Sequence, residues 1–259
     1  MSSVEHSTNA PETDPLDEAL DLIARAEDQR VPLRLVGGLA VRLLCPEFPP
    51  RIRNRQDLDL ASTSAARSQL TELLVGLGHE PDRRFNALYG HKQLYFASPS
   101  GRAVDVLVDT LEMCHVLDFR HRIERMPFTL DVTDLLLSKL QIVEINEKDV
   151  KDIVYLLAAY PVVDGDEPGT IGLDRIRAIV ADDWGWWRTL TGTVDHVREL
   201  ASGEDADLVP AGARHDMLGG LGRIREAADA VPKTLRWKVR ARIGERKRWY
   251  QQPDEEKHD

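Results

Sequence analysis

The spacing of apolar residues changes character partway along the chain, and that change limits the folds open to it. Up to about residue 131 apolar residues come in short runs bounded by turn formers, mixed with a few helical stretches. Leu33-Arg34-Leu35-Val36, Asp57-Leu58-Asp59-Leu60, Lys92 to Ala97 and Ala103 to Asp109 read as strands, with Pro99-Ser100-Gly101 as the turn joining the last two. Asp14-Pro15 reads as an N-cap followed by proline at the first helical position, ahead of Leu16, Ala19, Leu20, Ile23 and Ala26. Leu39 to Leu44 suits a short helix, and Ser62 or Thr63 suits the cap of a helix carrying Leu70, Leu73, Leu74 and Leu77. Beyond residue 131 the period becomes helical: Leu135, Leu136, Leu140 and Val143, then Val150, Ile153, Val154 and Leu157. Asp164 to Gly169 reads as a linker. After it, Trp187, Leu190, Val194, Val197 and Ala201 repeat at near-heptad spacing, as in the seam of a helical bundle. The expected fold is therefore α+β. A mixed-sheet core with helices occupies 14–131, a helical extension 132–163 completes its cleft, and an all-helical domain spans 170–259; residues 1–13 form a polar, disordered tail.

With 259 residues, 42% hydrophobic and 30% charged, the chain has the apolar mass for a real core. Two cysteines, Cys45 and Cys114, cannot build a disulfide framework or a four-thiolate zinc site, and they suit a reducing cytoplasm. No run approaches 18 apolar residues, so no membrane helix is expected, and Met1 to Asp14 has no apolar core of a secretory signal. The net charge of −10 argues against nucleic-acid binding over the whole surface. The charge is uneven, however. Lys233 to Tyr250 carries eight Lys/Arg against Glu245 alone, a net +7 attached to a body of −17. That segment suits contact with RNA phosphates, with Trp237, Trp249 and Tyr250 to stack on bases, or equally a solvated helix laying its stems on the acidic body.

The chemistry-bearing residues lie in the first half. Residues two apart on a strand share a face, so Asp57 and Asp59 present two carboxylates side by side. Like charges that close are unfavourable unless a cation lies between them, and hard oxygen ligands suit Mg2+ or Mn2+. Asp105, inside a neighbouring apolar strand, supplies a third carboxylate in preference to Asp109 on the same face. Gly37-Gly38 at a strand-to-helix turn lets backbone approach a ligand, and the N–H groups at the helix start favour phosphate.

Taken together, Gly37-Gly38, a short helix, Arg53, Asp57-x-Asp59 and a later strand carboxylate resemble the polymerase-β-type nucleotidyltransferase superfamily. Within it the chain is most similar to the AbiEii-like toxin and minimal nucleotidyltransferase branch, which commonly carries a lysine and a Lys-Asp-x-x-Asp element where this chain has Lys139 and Lys148-Asp149-Val150-Lys151-Asp152. The resemblance covers roughly residues 30–160. Arg55 stands where that branch typically has threonine. The resemblance implies transfer of a nucleoside monophosphate from an NTP to an acceptor hydroxyl on RNA (tRNA among them), protein or a small molecule. It implies a metal site of Asp57, Asp59 and Asp105, with Asp105 serving the attacking hydroxyl. Gly37 and Gly38 would cradle phosphates, Arg53 and Lys139 would neutralise them, and Asp152, with Asp149 on the same helix face, would point toward the cleft. A toxin role would bring an antitoxin partner.

Simpler readings stand beside these. Asp57 and Asp59 also suit a solvated surface strand. Glu147–Lys151 and Lys148–Asp152 are i, i+4 pairs that stabilise any exposed helix. Trp184, Trp186 and Trp187 read as helix-packing aromatics, and the histidines show no zinc spacing. A non-catalytic module binding a nucleotide or a partner on the same fold is the alternative to an enzyme.

Overall fold

A computed structural model describes residues 13–48, 56–202 and 214–252. In chain order the elements are α1 (Pro15–Asp28), β1 (Arg34–Leu35), α2 (Gly37–Leu44), β2 (Leu58–Ser62), α3 (Arg67–Gly76), β3 (Glu80–Pro81), α4 (Arg83–Tyr89), β4 (Gln93–Ala97), β5 (Ala103–Val108), β6 (Thr110–Glu112) and β7 (Val116–Asp118). Then follow α5 (Val132–Leu140), α6 (Glu147–Ala159), β8 (Val162–Val163), β9 (Ile171–Gly172), α7 (Leu173–Asp182), α8 (Trp184–Ser202), α9 (Arg214–Ala230) and α10 (Leu235–Ile243). The expected mixed sheet and helical second half are both present.

The main sheet has the order β1-β2-β5-β4-β3. β2 and β5 pair parallel, and every other neighbouring pair is antiparallel. A parallel pair needs a crossover, here α3, β3, α4 and β4. Alternation divides the sheet cleanly. Leu58, Leu60, Leu94, Phe96, Val104 and Val106 are buried on one face. Asp59, Gln93, Tyr95, Asp105 and Leu107 are half-buried on the other.

Helix starts follow local chemistry. The Asp14 carboxylate accepts from the Leu16 N–H and Pro15 opens α1, as the sequence suggests. The cap expected at Ser62 or Thr63 differs. The Ser62 hydroxyl donates to the Pro32 carbonyl, and a short 3-10 turn over Ser64–Ala66 precedes α3. The Ser64 N–H is instead taken by the carboxylate of Asp109, which sits just past β5 at φ 65°. Asp109 also pairs with Arg120 at 3.1 Å. Burial raises its pKa, but the Ser64 hydrogen bonds and the Arg120 charge outweigh that and hold it low. Asp109 is thus a structural capping residue, which leaves Asp105 as the carboxylate that faces the open side of β5.

The two halves share one continuous hydrophobic core that runs from Ala19 in α1 to Ala228 in α9. Residues 164–169, expected as a linker, are tied down at Asp166. Arg122 binds the Asp166 carboxylate through Nη1 at 2.6 Å and Nη2 at 3.0 Å, and Arg125 donates to its carbonyl. The same Arg122 reaches Asp134 at 2.5 Å and Asp131 at 3.5 Å, and Arg175 adds a bond to Asp134 at 3.0 Å. Asp131 and Asp134 are fully buried, so these arginines, with Arg125 at 3.2 Å and the Thr133 N–H at 3.0 Å on Asp131, stand in for water around them. We predict that Arg122→Met destabilises the protein by about 2–4 kcal/mol, because it removes the arginine that Asp131, Asp134 and Asp166 share and leaves the two buried carboxylates with fewer partners. Urea denaturation of the variant, with Arg177→Met at an exposed ion pair as a near-neutral reference, measures this.

Candidate active site

The site is built where β2 and β5 run side by side. Their register sets Asp59 opposite Asp105, with Tyr95 of β4 beyond Asp105. The Gln93 carboxamide donates to both oxygens of Asp105, at 2.8 and 2.7 Å, which fixes that carboxylate's orientation. Asp57 falls one residue outside β2 and is exposed, a difference from the expected strand over 57–60. Arg102 holds that approach in place by donating to the Gln56 carbonyl at 2.7 Å.

Asp59 carries the strain of this arrangement. Burial, the Asp105 charge and the Asp57 charge push its pKa up to about 7, against a smaller opposing pull from Lys139. Tyr95 is raised as well, by burial and then by Asp57 and Asp105, so the acidic field covers this whole patch of the sheet. Among the described residues no three His, Cys, Asp or Glu side chains converge as a ready metal cage. The in-register pair Asp59–Asp105 is a two-carboxylate set, with Asp57 at its exposed edge. Hard oxygen donors that repel one another fit a divalent cation between them.

Gly37 forms the facing wall. It opens α2 at φ +64°, and a Cβ there would lie 2.8 Å from Asp59 Oδ2. Both the backbone conformation and the close approach require glycine. The N-cap Val36 makes no side-chain hydrogen bond to the first N–H groups of α2, and N–H groups at such a helix start favour phosphate. Gly38 serves differently: its open side faces the Gln56 side chain, where a Cβ would lie at 3.3 Å.

Lys139, in the last turn of α5, contacts two aspartates of α6: Asp149 at 2.8 Å and Asp152 at 3.1 Å. Burial would lower the ammonium's pKa, but Asp152 and Asp149 outweigh it and the pKa is raised. The expected Asp149/Asp152 face does point inward, and its first role is to hold this lysine. A cavity of about 560 Å3 joins Gly37, Asp59, Asp105, Lys139 and Asp149. Arg53 and Arg55 lie outside the described residues.

Sequence reasoning missed Gln93, the hairpin residues Glu112 and Met113, and Gln251 and Gln252, all of which line the cavity. Of these only Gln93 carried a signal, lying two residues from Tyr95 on the strand face shared with Asp105. The aromatics of the basic segment are engaged rather than free. Trp237 stacks edge-on against Trp187 at 5.4 Å, and Trp249 against Trp184 at 6.2 Å. Neither cysteine is poised as a nucleophile. Both are buried, and burial with the Glu47 and Asp152 charges pushes the Cys45 thiol up to about 12.

No protein-family model matches the chain, and no curated protein matches it in sequence. Solved structures give distant likenesses, each at a TM-score of 0.38. A crystal structure of ANT(2'')-Ia in complex with adenylyl-2''-tobramycin is 12% identical, covering 54% of this chain and 86% of that one. A solution structure of the antibiotic-resistance factor ANT(2'')-Ia is 13% identical, covering 56% and 84%. An antigenic nucleotidyltransferase-like protein from Paracoccidioides brasiliensis is 14% identical, covering 85% and 94%. Likenesses this distant assign neither substrate nor chemistry to the site. Among the described residues no helix is long and apolar enough to cross a membrane.

The raised Asp59 sets a pH dependence. Its folded pKa of about 7 lies above the unfolded value of 3.8, so the folded state holds the proton more tightly. Without divalent cation, stability falls as pH rises from about 4 to 7 and then levels off. Asp59→Asn should therefore raise stability by about 1–4 kcal/mol at pH 8 in EDTA, the lower figure allowing for solvent screening at this half-buried side chain, and the gain should vanish toward pH 4. Chemical denaturation at the two pH values checks it; a variant equally destabilised at both would contradict the strained pair. Gly37→Ala should cost about 1–3 kcal/mol from the positive φ alone, read from the same melts.

Proposed function

We propose that this chain is a nucleotidyltransferase that moves a nucleoside monophosphate from an NTP to an acceptor hydroxyl. The observation that carries the reading is the in-register Asp59–Asp105 pair, which faces a cavity walled by the uncapped start of α2 and by Lys139. The sequence resemblance to the polymerase-β-type superfamily supports it. Asp59 and Asp105 would hold Mg2+ or Mn2+, with Asp57 adding a ligand from just before β2. The bound cation would supply Lewis-acid stabilisation of the phosphates and of the attacking oxygen.

The chain's own groups do the rest. The N–H groups at Gly37 and the next residues of α2 bind phosphate oxygens, aided by the helix dipole. Lys139, held by Asp149 and Asp152, places one fixed positive charge beside the phosphates. Gln93 holds the Asp105 carboxylate so that it faces the acceptor hydroxyl. The acceptor oxygen bonds to the α-phosphorus, the bond from that phosphorus to the bridging oxygen breaks, and pyrophosphate leaves. The hydroxyl proton passes to the Asp105 side of the pair. Among acceptors, RNA is favoured by the exposed cations Arg236, Lys238, Arg242, Arg246, Lys247 and Arg248, whose segment runs on to the cavity rim.

Incubation with Mg2+, each α-32P-labelled NTP, total RNA and a protein extract tests the reading. Label should move to an RNA band, and Asp59→Asn or Asp105→Asn should lower transfer by about 10³-fold or more. Undiminished transfer in both variants overturns the assignment. Binding of NTP without any labelled product, across RNA, protein and small-molecule acceptors, would instead mark a binding module. For the toxin role with an antitoxin partner, induced expression should arrest bacterial growth, and Asp57→Ala should relieve the arrest.

A further inference from the structure

After α10 and a 3-10 turn over Gly244–Arg246, the chain crosses the first turn of α8 and returns to the cavity as a non-helical strap, Trp249–Gln252. We propose that this strap is the base-selecting wall of the site, its two glutamine carboxamides reading the nucleobase of the bound NTP. This rests on the nucleotidyl-transfer reading and adds the residues that choose among nucleotides.

The strap is anchored as a built feature. Trp249 Nε1 donates to Thr189 Oγ1 at 3.0 Å, and the same hydroxyl meets His115 Nε2 at 2.8 Å. Burial pushes the His115 imidazole down to about 4, so this link is neutral at ordinary pH. The α8 backbone opens to receive the strap at Gly185, where a Cβ would lie 2.6 Å from the Trp249 carbonyl oxygen. The Gln251 N–H then donates to the Cys114 carbonyl at 2.9 Å, which docks the strap on the β6–β7 turn.

That docking sets the chemistry of the cavity's two ends. Gly37, Asp59, Asp105 and Lys139 make one end suited to phosphate and cation. The β6–β7 side contributes Leu111 and Met113, with Ile142 after α5, an apolar surface beside the Glu112 carboxylate that suits a flat heterocycle with polar edges. Gln251 and Gln252 line the same cavity, Gln251 docked beside this apolar surface at Cys114. A carboxamide offers both a donor and an acceptor, the pair that distinguishes one base edge from another. Gln252 is also pre-oriented, because its Oε1 accepts from Arg248 Nη1 at 2.9 Å.

Isothermal titration of the full chain with Mg2+ and ATP, GTP, CTP or UTP tests the proposal, with inorganic tripolyphosphate as the base-free probe. The wild type should bind one NTP about tenfold tighter than the weakest. The double variant Gln251→Ala/Gln252→Ala should narrow that spread to about threefold or less, with tripolyphosphate affinity held within about twofold. Both side chains are exposed, so this variant should fold normally. Trp249→Ala, which frees the strap from α8, should narrow the spread as well. Equal binding of all four NTPs by the wild type, or a preference that survives the glutamine substitutions, overturns the proposal. If binding stays sensitive to Asp59→Asn while the preference is unchanged, the strap's role alone falls. If no NTP binds in an Asp59-dependent way, the nucleotidyl-transfer reading falls and takes this proposal with it.

Discussion

Two carboxylates held opposite each other on parallel strands are the constraint around which the site is arranged. The register of β2 on β5 gives Asp59 no choice of neighbour. Three features answer the resulting repulsion. Gln93 satisfies Asp105 with two hydrogen bonds, Lys139 contributes a nearby positive charge, and the fold tolerates an Asp59 whose pKa is drawn toward neutrality. Each stabilises the pair only in part. A protein selected for stability alone would place an amide or a hydrophobe at one of these positions, so the retained strain points to a use for the charge.

The buried ions elsewhere have the opposite character. Around Arg122, every carboxylate is matched by an arginine, and the result ties α5, the segment before it and the 164–169 turn into one block. That block supports the α5 backbone from which Lys139 extends. Rigid pairing at one end of α5 and an open acidic pair near its other end divide the labour between structure and chemistry.

Much of this was legible in the sequence, for reasons that particular residues make plain. The period-two alternation in Leu58-Asp59-Leu60 and Val104-Asp105-Val106 marked both aspartates as facing away from the apolar side of their strands, and Gly37 marked a turn open to close approach, which in the fold is an approach to Asp59. Asp57 was less legible, because alternation does not say where a strand begins. The β6–β7 hairpin has strands of three residues, too short for any period to register. The strap was illegible for a different reason. Its position depends on Trp249 finding Thr189 and on a glycine in α8 some sixty residues earlier, a tertiary coincidence that no local pattern encodes. The basic segment read correctly as charged and exposed, but its tryptophans are occupied by packing on α8 rather than free.

The cavity also has a history in time. Its first wall, at Val36 and Gly37, and its last, at Gln251 and Gln252, come from far-separated parts of the chain. A ribosome delivers the acidic pair early, whereas the α8 residues that anchor the strap, Gly185 and Thr189, come about eighty residues after Asp105. During synthesis the carboxylates therefore leave the ribosome before the strap that encloses their cavity. Completion of the enclosure needs the α8 anchors in place, so the acidic end of the cavity is synthesised well before the wall that closes it.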